Sequence, residues 1–440
     1  MKVTKDKTEN SQAFLTIEME PIEVEESLEK SYYRLAKKAN VPGFRKGKVP
    51  RDVLERYIGK ESLLEDALKY LVPQAYEKAI KEAEIEPFAQ PSIEIAQTDP
   101  LVFKATVPLP PTVTLGDYHN IRLTPEPVEV AEGDISAAIE QLRHQQAIWE
   151  PVERQVNSND LVVLDVEGNI EGEPFVNQKG VQYQVIRDQS VPAPGFAEQL
   201  IGMKRDEDKE FKLQYPSDYS RSELAGKEPS FKVRVIEIKQ ERLPELNDEF
   251  AKEIAPDIET MDSLRERVST QLRLRAEEKA KTDFEERVIE AVADVSQVEF
   301  PPILAEAEIA QFINRQAQSL QMGEGGLEEY LKRINKTGEE LQEELRPQAT
   351  KRVTQSLVLG KVAEEEKIEV SDSDINAEIE NLTSSATEDK DKLRQFLDNP
   401  QSRDSMKRLL MTRKTVQRLV DIAKGLNVNT EKVQEEDKHE

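Results

Sequence analysis

Residues 31–51 read SYYRLAKKANVPGFRKGKVPR. This stretch has no acidic residue, although the whole chain carries a net charge of −26. Gly43 and Gly47 allow the backbone to turn sharply, and Pro42 and Pro50 restrict the turn from both sides. The pattern predicts a helix that ends before Pro42 and leads into a tight basic loop. The seven basic residues of the stretch are Arg34, Lys37, Lys38, Arg45, Lys46, Lys48 and Arg51.

Phe44 lies in the middle of this loop, and Arg45 and Lys46 follow it directly. An exposed aromatic side chain beside an arginine is typical of residues that dominate the affinity of protein interfaces. The cations can bind acidic protein groups or RNA phosphates. From the residues alone, two interpretations stay open. One is a docking loop, which Phe44 favours, and the other is a solvated turn that keeps the helix end soluble.

The composition limits the classes of function. A length of 440 residues predicts about three domains. Charged residues make up 34% of the chain and apolar residues 37%. This composition favours long helices with solvent-exposed polar faces over a single large core. The strong negative charge argues against a protein that mainly binds the phosphate backbone of nucleic acids, because such proteins are basic overall.

No metal or cofactor is expected from the sequence. There is no cysteine, so a disulfide, a thiolate metal site and a catalytic cysteine are all excluded. The three histidines, His119, His144 and His439, lie far apart in the sequence, which argues against a zinc site. No Gly-x-x-x-x-Gly-Lys-Ser/Thr motif is present, so binding and release are expected to run without ATP. The N-terminus leads into no apolar segment, and the cytoplasm is the expected location.

Residues 1–111 are predicted to form a mixed α/β domain. Alternating apolar residues indicate strands, and apolar residues at helical spacing indicate helices. The prolines from Pro108 to Pro111 form a stiff stop. The predicted elements are a strand over 13–19, a helix over about 24–39, a helical stretch over 53–84 in one or two pieces, and strands around 93–95 and over 102–107.

Residues 112–149 are predicted to be a connecting arm, irregular at first and helical from Gly133 onward. Asp134 is placed as the N-cap of this helix. The helix is expected to carry the only tryptophan, Trp149, and to pack against the helical body through its apolar side chains.

Residues 150–243 are predicted to be a small, mainly β domain. Strands are indicated over 161–166 and 231–235, and residues 167–173 have a composition typical of a hairpin.

Residues 244–440 are predicted to be helical, with a loop at 323–326 and a polar tail over 429–440. A stripe of apolar residues at four-residue spacing winds around one long helix, because four residues overshoot a turn by about 40°. Such a helix has to be covered from more than one side. The stripe consists of Leu264, Val268, Leu272, Ala276, Ala280, Phe284, Val288 and Val292.

The sequence resembles that of bacterial trigger factors. The segment that carries the resemblance most specifically is Gly43-Phe44-Arg45-Lys46-Gly47-Lys48-Val49-Pro50, which is similar to the ribosome-docking signature of the family. The segment Leu243-Pro244-Glu245-Leu246-Asn247-Asp248-Glu249-Phe250 is similar to the exit from the family's second domain. The order of the regions also matches, so the resemblance covers nearly the whole chain.

The resemblance implies a multidomain α+β fold. The implied domains are an N-terminal α/β ribosome-binding domain over 1–111, a connecting arm over 112–149 that packs on the C-terminal body, a β-rich FKBP-type peptidyl-prolyl isomerase domain over 150–243, and an all-helical substrate-binding body with arms over 244–440. The implied function is that of an ATP-independent chaperone that binds nascent chains at the ribosomal tunnel exit and keeps them open for folding or export. Implied partners are the large ribosomal subunit, unfolded polypeptides and a second copy away from the ribosome, but no membrane.

The family's docking contact is carried over to the matching positions. By resemblance, Phe44, Arg45 and Lys46 contact a ribosomal protein, with Lys48 beside them, and Gly43, Gly47 and Pro50 shape the loop.

Prolyl isomerisation needs neither an acid nor a base nor a metal. Its barrier of roughly 18–20 kcal/mol is the loss of amide resonance, and a dry aromatic pocket lowers it because the twisted amide is less polar. By resemblance, the pocket residues are Phe175, Phe196, Tyr219 and Phe231. From the residues alone, the phenylalanines could equally fill a small barrel core.

Several positions depart from the isomerase pattern. An aromatic residue usual near the start of the domain is Val166, an acid that often follows the Phe175 position is Val176, and an aliphatic pair before the turn at Phe196 is Pro192-Ala193. We therefore expect weak isomerase activity.

Three other hypotheses for the function of the protein stay open. The first is a multidomain prolyl isomerase that does not dock on ribosomes. The second is an interaction scaffold of long charged helices. The third is a nucleic-acid binder, which the confinement of basic charge to one short stretch disfavours. In the helical body, apolar stripes at helical spacing are core in most proteins, so no substrate-contacting residue is assigned there.

Overall fold

The computed structural model describes residues 1–170, 173–187, 189, 191–216, 219, 224–319, 331, 336–384 and 390–426. The loop predicted at 323–326 and the tail predicted at 429–440 lie outside these residues. The chain divides into two compact units. One contains Met1–Thr124, Glu285–Gln316 and Glu339–Glu440, and the other contains Pro125–Phe284 and Ala317–Gly338.

The N-terminal part of the first unit is an antiparallel sheet with helices on one face. The sheet order is β1-β2-β4-β3. Its core face carries alternate buried residues of β2 and β4, among them Leu15 and Phe103, which pack against residues such as Leu71 and Ala75. The elements are β1 (Lys2–Glu9), β2 (Gln12–Glu18), α1 (Pro21–Lys38), α2 (Arg51–Ile58), α3 (Lys60–Glu82), β3 (Ser92–Thr98) and β4 (Leu101–Pro108).

The helical stretch predicted over 53–84 is two helices, because Gly59 adopts a φ of +88° between α2 and α3. Helix α1 begins three residues before the predicted start. Pro21 occupies its first turn, and the Glu20 N–H donates to the Glu23 carboxylate. A proline fits the first turn because its missing N–H would have no partner there.

The segment after the sheet contains β5 (Thr112–Thr114), a 3₁₀ turn (Tyr118–Asn120), α4 (Glu132–Gln145) and β6 (Ile148–Pro151). Asp134 was wrongly predicted as the N-cap of α4. Ala131 is the N-cap, and Asp134 lies at the third helical position, where its carboxylate accepts the Ala131 N–H at 3.2 Å. An acidic side chain there offsets the unpaired N–H groups of the first turn.

Trp149 was also wrongly placed on the helix. Helix α4 ends at Gln145, and Trp149 lies on β6 opposite Glu241. β6 crosses the predicted boundary between residues 149 and 150.

The β-rich part of the second unit consists of β7 (Leu161–Ile170), β8 (Glu173–Gln184), α5 (Phe196–Leu200), β9 (Asp208–Lys212) and β10 (Ser230–Arg242). The sheet order is β6-β10-β7-β8, and β9 also pairs with β10. All pairings are antiparallel. Alternate residues of β7 and β10, such as Val162, Leu164, Val233 and Val235, are buried in one core.

The remaining elements are mostly helical. They are α6 (Asp248–Ile254), α7 (Met261–Asp294), β11 (Gln297–Glu299), α8 (Pro302–Ser319), α9 (Gly338–Glu365), α10 (Asp372–Ser384), α11 (Lys390–Leu397) and α12 (Pro400–Ala423). Helix α7 is the long helix that the apolar stripe predicted. Its stripe is buried at both ends, with Leu264 and Val268 packed on α4 and α6 and with Val288 and Val292 buried near its C-terminus.

The first unit ties residues 112–123 to its C-terminal helices at several points. β5 pairs with β11. The Tyr118 hydroxyl donates to the Glu366 carboxylate at 2.8 Å, and the Leu123 N–H donates to the Ala423 carbonyl at 3.1 Å. At Gly116, an added Cβ would lie 2.0 Å from the Val295 carbonyl oxygen, so only glycine fits this approach. These contacts hold the start of the predicted connecting arm against the body.

Candidate functional sites

The basic loop between α1 and α2 is held in a defined conformation. Gly43 and Gly47 have φ values of +86° and +79°, which other residues adopt rarely. The Gly47 N–H donates to the Ala36 carbonyl at 2.8 Å, and the Lys48 N–H donates to the Arg45 carbonyl at 2.9 Å. The loop therefore folds back onto the last turn of α1.

A small apolar cluster lies beneath the loop. It consists of Ala36, Val41, Val49 and Leu54, all buried. Val41 and Val49 flank the loop on both sides, and the Tyr32 hydroxyl donates to the Val49 carbonyl at 2.6 Å. The two ends of the loop are thus fixed, and the residues between them are exposed.

Phe44 at the centre of this loop is 42% exposed. A large aromatic side chain held in water on a fixed loop loses apolar hydration when a partner covers it. The predicted docking residues Gly43, Phe44, Arg45, Lys46, Gly47 and Lys48 are all exposed and adjacent, and Pro50 caps the start of α2.

Apart from Lys38, the basic residues of the stretch fall into two groups. Arg34 and Arg51 serve the fold: Arg34 contacts the Asp66 carboxylate at 2.8 Å, and Arg51 bonds to the carboxylates of Glu25 and Glu55. Burial opposes ionisation of Asp66, but hydrogen bonds from Ser31 and Arg34 outweigh it and lower the pKa of Asp66.

The second group faces solvent. Among the described residues, none forms an ion pair with Lys37, Arg45, Lys46 or Lys48. These four cations and the Phe44 ring form a surface whose charge is not neutralised within the domain.

The β-rich domain brings three of the four predicted pocket residues into direct contact. The ring centroids of Phe196 and Phe231 lie 5.3 Å apart, and those of Phe175 and Phe231 lie 5.7 Å apart, both edge to face. Tyr219 packs on the same core, with its ring 4.6 Å from that of Tyr215. Edge-to-face pairs place a positive ring edge on a negative ring face.

These aromatic side chains differ in exposure. Phe196 is 1% exposed and Phe231 is 0% exposed, whereas Phe175 and Tyr219 are half-buried. The two buried rings therefore belong to the core as well as to any pocket floor, and the two half-buried rings can touch a bound peptide.

Gly168 on β7 makes room for Phe175. A Cβ added to Gly168 would lie 2.7 Å from Cε1 of Phe175 and 3.3 Å from Cε1 of Phe231. The register explains this contact, since Gly168 pairs with Phe231 on β10 and with Val176 on β8.

Sequence reasoning missed three aromatic residues of this cluster. The Phe211 ring lies 5.6 Å from Phe196 and 5.9 Å from Phe231, and the Tyr183 ring lies 5.3 Å from Phe196. Tyr215 is buried beside Tyr219. No local pattern signals the place of Phe211, because the register between β9 and β10 sets it opposite Phe231.

Tyr183 closes one side of the aromatic cluster. Its hydroxyl donates to the Val191 carbonyl at 3.0 Å. Burial raises the pKa of Tyr183 to about 12, and the nearby charge of Glu198 adds to this effect. The neutral hydroxyl is therefore the form that the fold stabilises.

Three of the four positions that depart from the isomerase pattern lie in the same core. Val166 and Ala193 are buried, and Val176 packs on the cluster while half-buried. Smaller aliphatic groups thus stand where the resemblance leads us to expect larger or acidic ones.

Within the described part of the chain, no cluster of three or more His, Asp or Glu side chains is arranged to hold a metal ion. No described helix is both long enough and apolar enough to cross a membrane.

Comparisons with known proteins give family matches in three parts of the chain. The family model for bacterial trigger factor protein matches residues 1–142, and that for the trigger factor C-terminus matches residues 260–421. The trigger factor of Dehalococcoides mccartyi strain CBDB1 is 44% identical over 424 residues, which cover 96% of this chain and 95% of the relative.

The chain belongs to the trigger factor family. The trigger factor of Halalkalibacterium halodurans is 34% identical over 426 residues, covering 96% of this chain and 99% of the relative. Between the two trigger factor matches, the model for FKBP-type peptidyl-prolyl cis-trans isomerase matches residues 152–239. A solved chain from work on promiscuous substrate recognition in the folding and assembly activities of the trigger factor chaperone is 24% identical, with a TM-score of 0.47 over 96% of this chain and 99% of that one.

As a trigger factor, the chain is a ribosome-associated chaperone with an FKBP-type peptidyl-prolyl isomerase domain. The predicted family, fold class and activity are therefore confirmed.

Proposed function

We propose that residues Gly43–Pro50 dock this chain on a protein of the large ribosomal subunit beside the tunnel exit. The observation that carries the proposal is the exposed Phe44 on a loop whose neighbouring cations form no ion pair with any residue that the structure describes. Phe44 supplies the apolar contact, Arg45 and Lys46 bind acidic groups or phosphates, and Lys48 adds positive charge at the edge.

The loop is suited to this role because it is already ordered. Its two ends are fixed by Val41, Val49 and the Tyr32 hydroxyl. Binding then costs little conformational entropy, because the loop backbone does not have to be ordered on contact.

The docking proposal is tested by sedimenting the chain with bacterial ribosomes through a sucrose cushion. The test variant replaces Phe44, Arg45 and Lys46 together with alanine. A matched control replaces Phe14, Lys7 and Lys104 with alanine, because Lys7 lies over the Phe14 ring on the opposite face of the same domain. We expect the wild type and the control to pellet and the test variant to remain in solution. If all three pellet equally, the loop is an ordinary surface turn.

We further propose that the cytoplasm is the site of action and that unfolded nascent polypeptides are the clients. Membership of the family supports both assignments. A homodimer away from the ribosome is the expected oligomeric state, which sedimentation velocity at two protein concentrations tests.

For the isomerase domain we propose slow turnover. The support is the small aliphatic groups at Val166 and Val176 and the close packing of Phe196 and Phe231 within the core. A proline-peptide assay with the full chain is expected to show a rate that is low but above background. A rate equal to background would exclude a working pocket, and a rate matching that of an efficient isomerase would contradict the slow turnover.

A further inference from the structure

The two edges of the N-terminal sheet differ in charge. β1 reads KVTKDKTE, with five charged residues among eight, and charged residues on an edge strand discourage pairing with another chain. β3 forms the other edge and reads SIEIAQT, in which Glu94 is the single charge. Within the described part of the chain, no strand pairs with the outer side of β3, so its N–H and C=O groups on that side are open.

The core-facing side of β3 is apolar and uncovered. Ile93 pairs with Ala105 and Ile95 pairs with Phe103. Paired residues of antiparallel strands point to the same face. Ala105 and Phe103 are buried, yet Ile93 is 37% exposed and Ile95 is 42% exposed. The apolar face of the sheet therefore continues onto β3 beyond the cover of the helices.

This row of side chains leads to a cavity. Thr98 pairs with Leu101 and so continues the row of Ile93 and Ile95. Thr98 and Leu101 line a cavity of about 470 Å³ between the end of the sheet and the three helices. That volume lies within the roughly 300–1,000 Å³ typical of ligand sites. The apolar part of the cavity wall is formed by Met19, Val24, Leu28, Leu63 and Leu64.

Three of the five charged residues that line the cavity form one cluster. Arg51 bonds to both Glu25 and Glu55, which also line the cavity. The hydrogen bonds that Arg51 donates to the carboxylates of Glu25 and Glu55 raise its pKa and outweigh the opposing effect of burial. An apolar side chain that enters beside this cluster therefore meets a cation that is already paired.

We propose that the open edge of β3 and this cavity together bind an extended, apolar segment of unfolded polypeptide. The segment adds as a strand beside β3, its backbone pairs with the open edge, and one large apolar side chain enters the cavity. Addition of a strand to a sheet edge is an established way of binding extended peptides, in which side-chain pockets add specificity. The choice of occupant rests on the chaperone function, because an unfolded client exposes both unpaired backbone groups and apolar side chains.

A second copy of the chain fits this edge less well. An antiparallel pair of two β3 strands would bring two Glu94 carboxylates onto one face of the joint sheet, and like charges across a strand pair are destabilising. An unfolded client carries no such fixed charge.

The site lies on the same domain as the proposed docking loop. Pro50 ends that loop, and Arg51, the next residue, lines the cavity. A client held here would be close in sequence and space to the segment that we propose to contact the ribosome.

The test uses the full chain and a fluorescein-labelled peptide, acetyl-Lys-Thr-Val-Thr-Phe-Thr-Val-Lys-amide. A second peptide has the same sequence but carries N-methyl groups at alternate residues, which removes the backbone donors on one edge. A third peptide has alanine in place of phenylalanine. Binding is followed by fluorescence anisotropy. The chain has no cysteine, so a Ser92→Cys variant carries a single dye that reports contact at β3.

The main variant combines Ile93→Lys and Ile95→Lys, and both sites are exposed, so the fold should tolerate it. The control is Ile148→Lys, a strand isoleucine outside this domain that is 65% exposed. We expect the double variant to weaken peptide binding about tenfold and the control to leave it unchanged. The N-methylated peptide should bind as weakly to the wild type as the parent peptide binds to the double variant.

A cavity variant separates the two parts of the site. Leu28→Trp fills the cavity and should weaken binding of the phenylalanine peptide to the level of the alanine peptide. Equal affinity of the double variant and the wild type would overturn the proposal, as would equal affinity of the parent and N-methylated peptides. A dye response at Ser92→Cys that depends on chain concentration and not on peptide would assign the edge to a second copy instead.

Ribosome pelleting of the double variant keeps the two proposals apart. The variant should pellet like the wild type, because the docking loop is unchanged. A wild type that fails to pellet but binds the peptide at β3 would reject the docking loop and leave this site standing.

Discussion

The docking loop and the aromatic cluster use the same residue type in opposite ways. The loop holds Phe44 in water on a fixed backbone, whereas the cluster buries Phe196 and Phe231 almost completely. A residue such as Phe44 is free to serve a partner because the fold does not need it. The buried phenylalanines serve the fold first, so their function cannot change without a change in stability. This difference explains why removal of a docking residue should be a clean test and removal of a pocket residue should not.

The largest expected effect is on Phe231. Phe231→Ala removes a ring that contacts three other aromatic rings, and truncation of a buried phenylalanine costs about 3–5 kcal/mol. Phe44→Ala should change the free energy of unfolding by less than about 0.5 kcal/mol, as exposed substitutions usually do. Trp149 is the only tryptophan and lies on the same sheet as Phe231, so its fluorescence in urea reports unfolding of this domain. Far-ultraviolet circular dichroism of the same samples follows the helices of the domain that holds Phe44. Equal urea midpoints for the two variants would contradict the proposed difference between the docking loop and the aromatic cluster.

A smaller effect is expected at Gly168. In Gly168→Ala the new methyl group meets Phe175 and Phe231, so Phe175 has to move outward. Overpacking of this kind typically costs about 1–3 kcal/mol. The control is Gly133→Ala, where an added Cβ meets open space at the start of α4. It should be neutral or stabilising by up to about 1 kcal/mol. Two variants with the same urea midpoint would show that Phe175 is not held by this contact.

On the loop, the most informative conservative change is Tyr32→Phe. It removes only the hydroxyl that donates to the Val49 carbonyl, a loss of about 1 kcal/mol. The loop should become less ordered, and ribosome affinity should fall a few-fold while the exposed docking residues remain. Binding that is unaffected would show that the backbone of the loop does not need this anchor. Hydrogen exchange at residues 43–50 checks whether the order of the loop has changed.

The smallest effect concerns pH. Burial raises the pKa of Tyr183 to about 12, against a usual value near 10. The unfolded chain therefore loses this proton at lower pH than the folded chain. The stabilisation is complete below about pH 10 and is lost as the pH rises through 12. The difference in unfolding free energy between the wild type and Tyr183→Phe should shrink over that interval. A constant difference would mean that burial does not favour the neutral hydroxyl.

Local sequence patterns were sufficient to predict the position of the loop and of most of the helices. The loop depends on glycines, prolines and cations that are neighbours in the chain, and its conformation follows from them. The long helix α7 was visible because its apolar stripe repeats over many turns. Trp149 was misplaced because pairing with β10, about ninety residues away, overrides its helical spacing. Asp134 was misassigned because an acidic side chain suits both the N-cap and the first turn.

The aromatic cluster was only partly predictable for a related reason. Phe175, Phe196 and Phe231 were found through resemblance, but Phe211 and Tyr183 join them through strand register alone. The exposure of each ring is set by the packing of the whole β-rich domain and has no local signature in the sequence. The same holds for β3, whose open edge follows from the order of strands in the sheet.

The most direct test of the difference between the docking loop and the aromatic cluster compares the wild type with Phe44→Ala. Each protein is labelled with a dye and titrated with isolated large and small ribosomal subunits. A urea unfolding curve is measured for each protein as well. We predict binding of the wild type to the large subunit alone, a loss of about tenfold or more in affinity for Phe44→Ala, and superimposable unfolding curves. Equal affinities for the two proteins would contradict the account, because Phe44 would then be neither a docking residue nor a part of the core.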